Sequence, residues 1–490
     1  MSKINQDLIQ EYFSTVLNNF KNSKKDFIIN NNKRYSYSQA YADVKKINFY
    51  LRNINKKNIA IFSDKSFSYY SAVIAILFSG NKWIQITPAT PIERIKNIIN
   101  ISDTKYAIYD ESFSNKKVLK IKGVKFLFLK NILKNDKELE LSTINYPEEE
   151  VAMIFFTSGS TGLPKGVKIT YKNFISCLEH QFKNLDYKKN KEIFADYHDS
   201  TFVMSVVVIF PAIFLNCAIS PLVESRDKML PEQHLLRNNI TVLITVPSFL
   251  LILKNRIEKK KIKLNVLILC GENFPLNILK VVLKLFKFNN LFNCYGATEL
   301  SPWAFFYKFS YKNLKIIKKM GQVPIGKPFN GLSIKFLKSK ELLVSGNVVS
   351  PGYIDKSSNL NNEKFLKIKS QNFYNTGDVV VKIDNLYFCK GRNDTQIKIR
   401  GYRVDTTEIE SLIKKIKNID YVYCYSNLMD ASQYLVLILV TKNDFTRQFI
   451  INYLKKLLPS YMIPQKIIFL KKLRFNKNGK VDKAYYKSKY

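Results

Sequence analysis

"FFTSGSTGLPKGVKIT", residues 155–170, runs two apolar residues into a cluster of Thr, Ser and Gly and then into a lone Lys-Gly pair. Gly159 and Gly162 let the backbone turn tightly and bring its N–H groups close to an anion. The hydroxyls of Thr157, Ser158, Ser160 and Thr161 add donors, and Lys165 adds a mobile positive charge. Such a set suits a polyphosphate. The spacing is not that of a Walker A loop, which places four residues between its first Gly and a Gly-Lys-Ser/Thr end; here no Ser or Thr follows Lys165. Taken alone, a loop of this composition is as often a plain connector.

Its surroundings read as an α/β chain. "NIAIFS" near residue 60 is a buried-strand pattern, and "SYYSAVIAILFSG" is a helix ending at Gly80. "ITVLITVP" and "LNVLILCGENFP" are two more strands, with helical spacing in "SFLLILKNRIEKKK" between them. That rhythm predicts a mostly parallel sheet covered by helices on both faces. After about residue 330 the runs shorten ("SIKFLK", "ELLVSG", "VVVKIDNLYFCKG"), which predicts an antiparallel, barrel-like part. From Asp394 a compact α+β unit follows: helix "DTTEIESLIKKI", strand "YLVLILVT", and helix "RQFIINYLKKLLP" stopped by Pro459. The expected division is a large domain, 1–393, and a small one, 394–490. A chain of 490 residues exceeds one compact core in any case.

The formal charge is +39, from 78 basic and 39 acidic residues. Lys, Asn and Ile dominate throughout and no segment concentrates the charge, so a nucleic-acid footprint is not indicated; an acidic protein partner stays compatible. Cys177, Cys217, Cys270, Cys294, Cys389 and Cys424 form no CxxC pair, and His180, His198 and His234 supply no HExxH set. Both facts fit a reducing cytoplasm better than a disulfide framework or a zinc site. The N-terminus has no apolar core of a signal peptide. Residues 202–222, "FVMSVVVIFPAIFLNCAISPL", are uncharged and long enough for a membrane span, but Pro211 and Asn216 interrupt them, and a helix buried in an α/β layer is the expected reading.

The loop has companions in a fixed order: "NCYGATE" (293–299), "KELLVSGNVVSPGYID" (340–355), "YNTGD" (374–378), "GRNDTQIKIRGYRV" (391–404), "LPSYMIP" (458–464) and "NGKVDK" (478–483). With these the chain resembles the adenylate-forming ligases over essentially its whole length. "CGENFP" (270–275) and the short C-terminal unit resemble most the amino-acid adenylation domains and D-alanine–carrier protein ligases. The family pattern has Gly where Lys340 stands.

The resemblance implies a reaction in two halves. A carboxylate attacks the α-phosphate of Mg-ATP to give an acyl-adenylate and pyrophosphate, and a thiol then takes the acyl group as a thioester. Both halves gather negative charge that positioned cations and donors must meet. By the same resemblance, the loop from Thr157 to Lys165 would hold the β- and γ-phosphates. Glu299 would bind Mg²⁺ and Thr298 would touch the α-phosphate. Asn293, Tyr295 and Gly296 would border the adenine. Asp378 and Arg392 would hold the ribose. Lys480 would be the catalytic cation of the first half-reaction, and Asp394 the hinge on which the small domain turns. The acid would sit among Val203, Met204, Val207, Ile244, Ile268, Cys270, Cys294, Pro302 and Trp303.

One departure bears on the substrate. Where amino-acid-activating relatives carry the Asp of "FDxS", this chain has "FVMS", and Val203 takes the acid's place. A buried ammonium with no counter-charge costs several kcal/mol. The acid therefore either lacks an α-amino group or finds its carboxylate elsewhere, with Asp199 the nearest candidate and a helix N-cap the competing role for it. No "GxxS" carrier segment follows Lys483, so the expected acceptor is a separate acidic carrier protein or free CoA.

Overall fold

The computed structural model describes residues 6–30, 33–159, 162–253, 261–355, 359–429, 432–441, 443–472, 474 and 481–490. Two compact units emerge. One comprises Met1–Pro88, Ile99–Phe156 and Gly166–Asn393; the other comprises Ala89–Ile98, Thr157–Lys165 and Asp394–Tyr490. The Ser/Gly loop thus belongs with the C-terminal part of the chain.

The first unit is built on three sheets. A six-stranded sheet has Asn58–Phe62 and Lys82–Ile86 at its centre, with Tyr106–Tyr109 pairing the first of these in parallel. A nine-stranded sheet has a parallel middle: Phe286–Tyr295, Ile262–Cys270, Val242–Thr245, Ile193–Asp196, Ala218–Pro221 and Asp26–Asn30. Its two margins are antiparallel, which the β-α-β rhythm did not announce. A five-stranded antiparallel sheet spans Ser333–Phe336 to Leu386–Arg392, in the region where short runs predicted it.

Local signals place the helices. Ser66 accepts the Tyr69 N–H and starts the helix Phe67–Phe78, ten of whose residues are buried. Thr170 and Asn173 form a capping box that starts Tyr171–Asn184 directly after the strand Lys165–Thr170. The uncharged stretch at 202–222 resolves into the nine-residue helix Val206–Phe214 and the strand Ala218–Pro221. No helix among the described residues is long and apolar enough to cross a membrane.

A buried ion pair joins the two large sheets. Lys65, just past Asn58–Phe62, donates to Asp196 Oδ1 at 2.7 Å, and Tyr70 donates to Asp196 Oδ2 at 2.7 Å. Beside them His198 is fully buried, and desolvation, with Lys65 nearby, pushes its pKa down to about 3. His234 lies between the Tyr197 hydroxyl, 2.8 Å from Nδ1, and Ser220 Oγ, 3.3 Å from Nε2, and burial pushes it down to about 4. Below the ordinary value of 6.5 the unfolded chain binds protons that these two folded imidazoles refuse. Stability is therefore expected to fall as pH drops from about 6.5 toward 4, by an amount on the order of a few kcal/mol. Asp43, whose pKa burial raises to about 6, opposes the trend. Urea midpoints measured across this range would check the sign, and a His198→Gln variant should flatten the slope.

In the second unit the hairpin Ile419–Met429/Ser432–Thr441 pairs in parallel with Lys466–Leu470. Alternation gives this sheet two covered faces. Val422, Cys424, Leu435, Leu437 and Leu439 meet the helices Thr406–Ile413 and Arg447–Lys455, whereas Tyr423, Tyr425, Val436 and Ile438 meet Tyr486 of the last helix. The helix expected to stop at Pro459 ends earlier, at Lys455, where the Leu454 carbonyl takes the N–H groups of Leu457 and Leu458.

Candidate active site

In the first unit, the strand Phe286–Tyr295 delivers Asn293, Cys294 and Tyr295 in succession. Asn293 Nδ2 donates to the Pro324 carbonyl at 2.9 Å. The Tyr295 hydroxyl donates to Asp378 Oδ2 at 2.6 Å, and Arg392 Nη1 donates to Asp378 Oδ1 at 2.7 Å. Arg392 Nη2 reaches the Thr376 carbonyl at 2.8 Å. Asp378 and Arg392 are direct partners across the hairpin, so the pairing register sets this contact. The structure thus brings together three of the residues marked for adenosine. Burial, with the Asp378 carboxylate beside it, holds the Tyr295 phenol protonated, well above its ordinary pKa.

The turn Thr298–Leu300 carries Glu299, which is fully buried and accepts the Tyr353 hydroxyl at 2.7 Å. Tyr353 was not singled out in the sequence, and its 54-residue separation from Glu299 gives no local signal. The described residues contain no group of three or more His, Cys, Asp or Glu side chains that could hold a metal. A single hard carboxylate does fit Mg²⁺ arriving on phosphate oxygens, the way this ion is usually held. Gly296 has a packing reason for being Gly: a Cβ there would lie 2.1 Å from the Pro302 carbonyl oxygen.

Four of the expected pocket residues, Ile244, Ile268, Cys270 and Cys294, lie on one face of the nine-stranded sheet. Ile244, Ile268 and Phe292 are in register across three strands, as are Cys270 and Cys294. Val203, Met204 and Val207, at the start of the helix region that covers the sheet, share the same apolar cluster with them and with Trp303. Cys177, missed in the sequence, joins Cys270 and Cys294; burial raises the thiols of Cys177 and Cys294, and that of Cys177 reaches about 12. They stay protonated and act as small apolar groups. His198 borders this face, with Phe202 against its ring and the Ile244 backbone nearby.

The acid question at Val203 also receives geometry. Val203 is buried. Asp199 Oδ1 accepts from the Thr201 N–H at 2.9 Å and the Thr201 hydroxyl at 2.7 Å, a turn-capping role. Asp196, the buried carboxylate nearby, has one oxygen on Lys65 and the other on Tyr70.

In the second unit the Ser/Gly loop is held by side chains that the sequence did not single out. Ser158 Oγ donates to the Arg403 carbonyl at 2.8 Å and accepts the Asp405 N–H at 3.0 Å. The Gly159 N–H donates to Glu408 Oε2 at 3.1 Å, and Arg94 Nη1 donates to Glu408 Oε1 at 2.9 Å. Gly159 admits no side chain, since a Cβ would lie 2.1 Å from the Leu163 carbonyl oxygen; Gly162 turns at φ +83°. Thr157 and Lys165 sit at the strand ends flanking the loop. Asp394 accepts the Gln396 N–H at 3.2 Å in a local turn. Ser160, Thr161 and Lys480 lie outside the described residues.

Glu408 and Arg94 are nearly inaccessible, at 1% and 6% side-chain exposure, and burial raises the Glu408 pKa despite Arg94. Glu408→Ala strands a buried guanidinium and is expected to destabilise this unit by about 3–5 kcal/mol. The check is a lowered unfolding midpoint together with faster proteolysis at 157–165. Glu408→Gln, which still accepts from Gly159, should recover part of both.

Comparisons with known proteins bear on the family and the fold. The family model described as AMP-binding enzyme matches residues 18–354. The D-alanine–D-alanyl carrier protein ligase of Lactococcus lactis subsp. lactis (strain IL1403) is 27% identical, with 92% of this chain and 93% of that protein covered. Bacitracin synthase 3 of Bacillus licheniformis is 30% identical over 87% of this chain, which corresponds to 7% of that longer protein. The fold matches that of the Vibrio cholerae adenylation domain AlmE, solved with glycyl-adenosine-5'-phosphate, at TM-score 0.82 and 19% identity over 99% of this chain and 98% of that one. With the family match extending over most of its length, the chain belongs to the AMP-binding enzymes and is an adenylate-forming ligase that works with ATP and Mg²⁺.

Proposed function

We propose that this ligase activates a small, uncharged carboxylic acid without an α-ammonium group and passes it to the phosphopantetheine thiol of an acidic carrier protein in the cytoplasm. The observation that carries the substrate reading is the pocket face itself: Val203 replaces an acid, Asp199 caps a turn, and Asp196 is already bonded to Lys65 and Tyr70. The Asp378–Tyr295–Arg392 cluster supports the nucleotide roles. A carboxylate with two acceptor oxygens suits a ribose diol, Glu299 would hold Mg²⁺, and the loop from Thr157 to Lys165 would hold the pyrophosphate end. Mg²⁺ would draw charge from the phosphates; the chain's own residues orient the nucleotide and exclude water. The D-alanyl carrier protein ligases among the relatives favour a carrier acceptor, and the net charge of +39 favours docking of an acidic one. On this reading the small domain, 394–490, turns at Asp394 between the two half-reactions.

ATP–pyrophosphate exchange over amino, hydroxy, aryl and short fatty acids tests the first half. Exchange confined to α-amino acids would overturn the substrate reading. Loading of the product onto a holo-carrier protein against free CoA tests the second; exclusive use of CoA would make the chain an acyl-CoA synthetase.

A further inference from the structure

Two polar atoms in the stretch after Glu299 have no hydrogen-bond partner among the described residues: Trp303 Nε1 and Ser301 Oγ. Trp303 is 1% exposed and Ser301 fully buried. A buried indole N–H normally finds an acceptor. The chain's other tryptophan, Trp83, follows that habit and donates to Gln85 Oε1 at 3.3 Å. Leaving such a donor unpaired carries a desolvation penalty that Phe at this position would avoid with the same packing role.

The position of the stretch says what the donor is for. Trp303 lies in the same buried cluster as Val203, Met204, Ile244, Cys270 and Cys294. The Cys177 thiol is within hydrogen-bonding reach of the Trp303 backbone, and Cys177 and Cys270 both act on Cys294. The segment is also fixed: Gly296 leaves no room for a Cβ against Pro302 and Trp303, and the Ala304 N–H donates to the Tyr295 carbonyl at 2.9 Å. The Trp303 backbone thus neighbours a thiol of this buried cluster, in which every other residue expected to line the pocket is apolar or a cysteine.

We infer that Trp303 is a specificity-determining residue whose indole N–H, with the Ser301 hydroxyl two residues before it, receives an acceptor oxygen on the acyl group. The acid is then a hydroxy, oxo or ether acid and not a plain hydrocarbon acid. The inference rests on the pocket reading proposed above. An acceptor-bearing substrate relieves the unpaired donor on binding, whereas a hydrocarbon of equal size leaves it buried and unmatched, and sites of this kind discriminate strongly.

The test compares wild type with Trp303→Phe on two matched sets, lactate and pyruvate against propionate, and 3-hydroxybenzoate against benzoate. In pyrophosphate exchange the wild type should prefer the oxygen-bearing member of a set. The variant should lower that preference at least tenfold, with the KM for ATP unchanged and exchange with the hydrocarbon acid equal or better. Equal losses on both members would show a packing role and overturn the inference, as would a wild-type preference for the hydrocarbon. The second readout is tryptophan emission, taken as wild type minus Trp303→Phe, during titration with each acid. A shift with the oxygen-bearing acids alone supports the inference even where no exchange is seen, a result that would count against the proposed activity instead. No shift with any acid, or the same shift with both members, overturns it.

Discussion

Asp378→Ala is expected to raise the KM for ATP and lower thermal stability in the same variant. The carboxylate meets the Tyr295 hydroxyl with one oxygen and Arg392 with the other, and its side chain is 6% exposed. Truncation takes the carboxylate away from the Arg392 guanidinium, 13% exposed, and from the buried Tyr295 phenol. Breaking a buried pair from one side costs about 3–5 kcal/mol. If Asp378 also receives the ribose, kcat/KM for ATP should fall by about 100-fold, equivalent to roughly 2.7 kcal/mol. Asp378→Asn keeps the shape and one acceptor and should lie between. Tyr295→Phe removes a donor without stranding a charge and should be the mildest. Calorimetry and exchange kinetics on the three variants give the order; an Asp378→Ala enzyme with wild-type midpoint and wild-type KM for ATP would remove Asp378 from the site.

Lys480→Ala is expected to lower adenylation by about 10²–10³-fold, the scale of losing one positioned donor or cation at a centre of developing charge. Thioester formation from a supplied acyl-adenylate should survive. The residues around it make the position special in a chain with so many lysines. The Asp482 N–H donates to the Arg474 carbonyl at 2.9 Å. Asp482 then caps the final helix by accepting the Tyr485 N–H at 3.0 Å. Lys483, 4.8 Å over the Tyr423 ring, is the control, and its replacement by Ala should leave both half-reactions near wild type. Equal effects of the two substitutions, or adenylation that persists without Lys480, would refute the assignment.

Much of this was legible in the sequence because apolar periodicity and cap chemistry are local. "NIAIFS" and "LNVLILCGENFP" read as buried strands and "SYYSAVIAILFSG" as a helix, and the structure has Asn58–Phe62, Ile262–Cys270 and Phe67–Phe78 there. Polar partnerships were not legible, because they join residues that only the folded chain brings together. Glu299 meets Tyr353 across 54 residues, and Arg94 meets Glu408 across 314. Asp199 shows the difference at one residue: its sequence context left ammonium partner and helix N-cap both open, and the structure shows instead a side-chain turn onto Thr201, with the short helix that follows starting from Phe202. The antiparallel margins of the large sheet were hidden for a related reason, since direction is set by connection geometry and not by composition.

The hold of Glu408 on Gly159 has a consequence for traffic through the loop. A carboxylate already sits on an N–H that a phosphate oxygen would use. Nucleotide entry at that N–H is then a swap of one anion for another, not the filling of an empty cradle. If the loop holds pyrophosphate as proposed, its electrical load would stay nearly constant through the cycle, with Glu408 taking the place of the departing anion. On this view Arg94 would hold Glu408 while the anion is bound, which gives a buried cation in this unit its use.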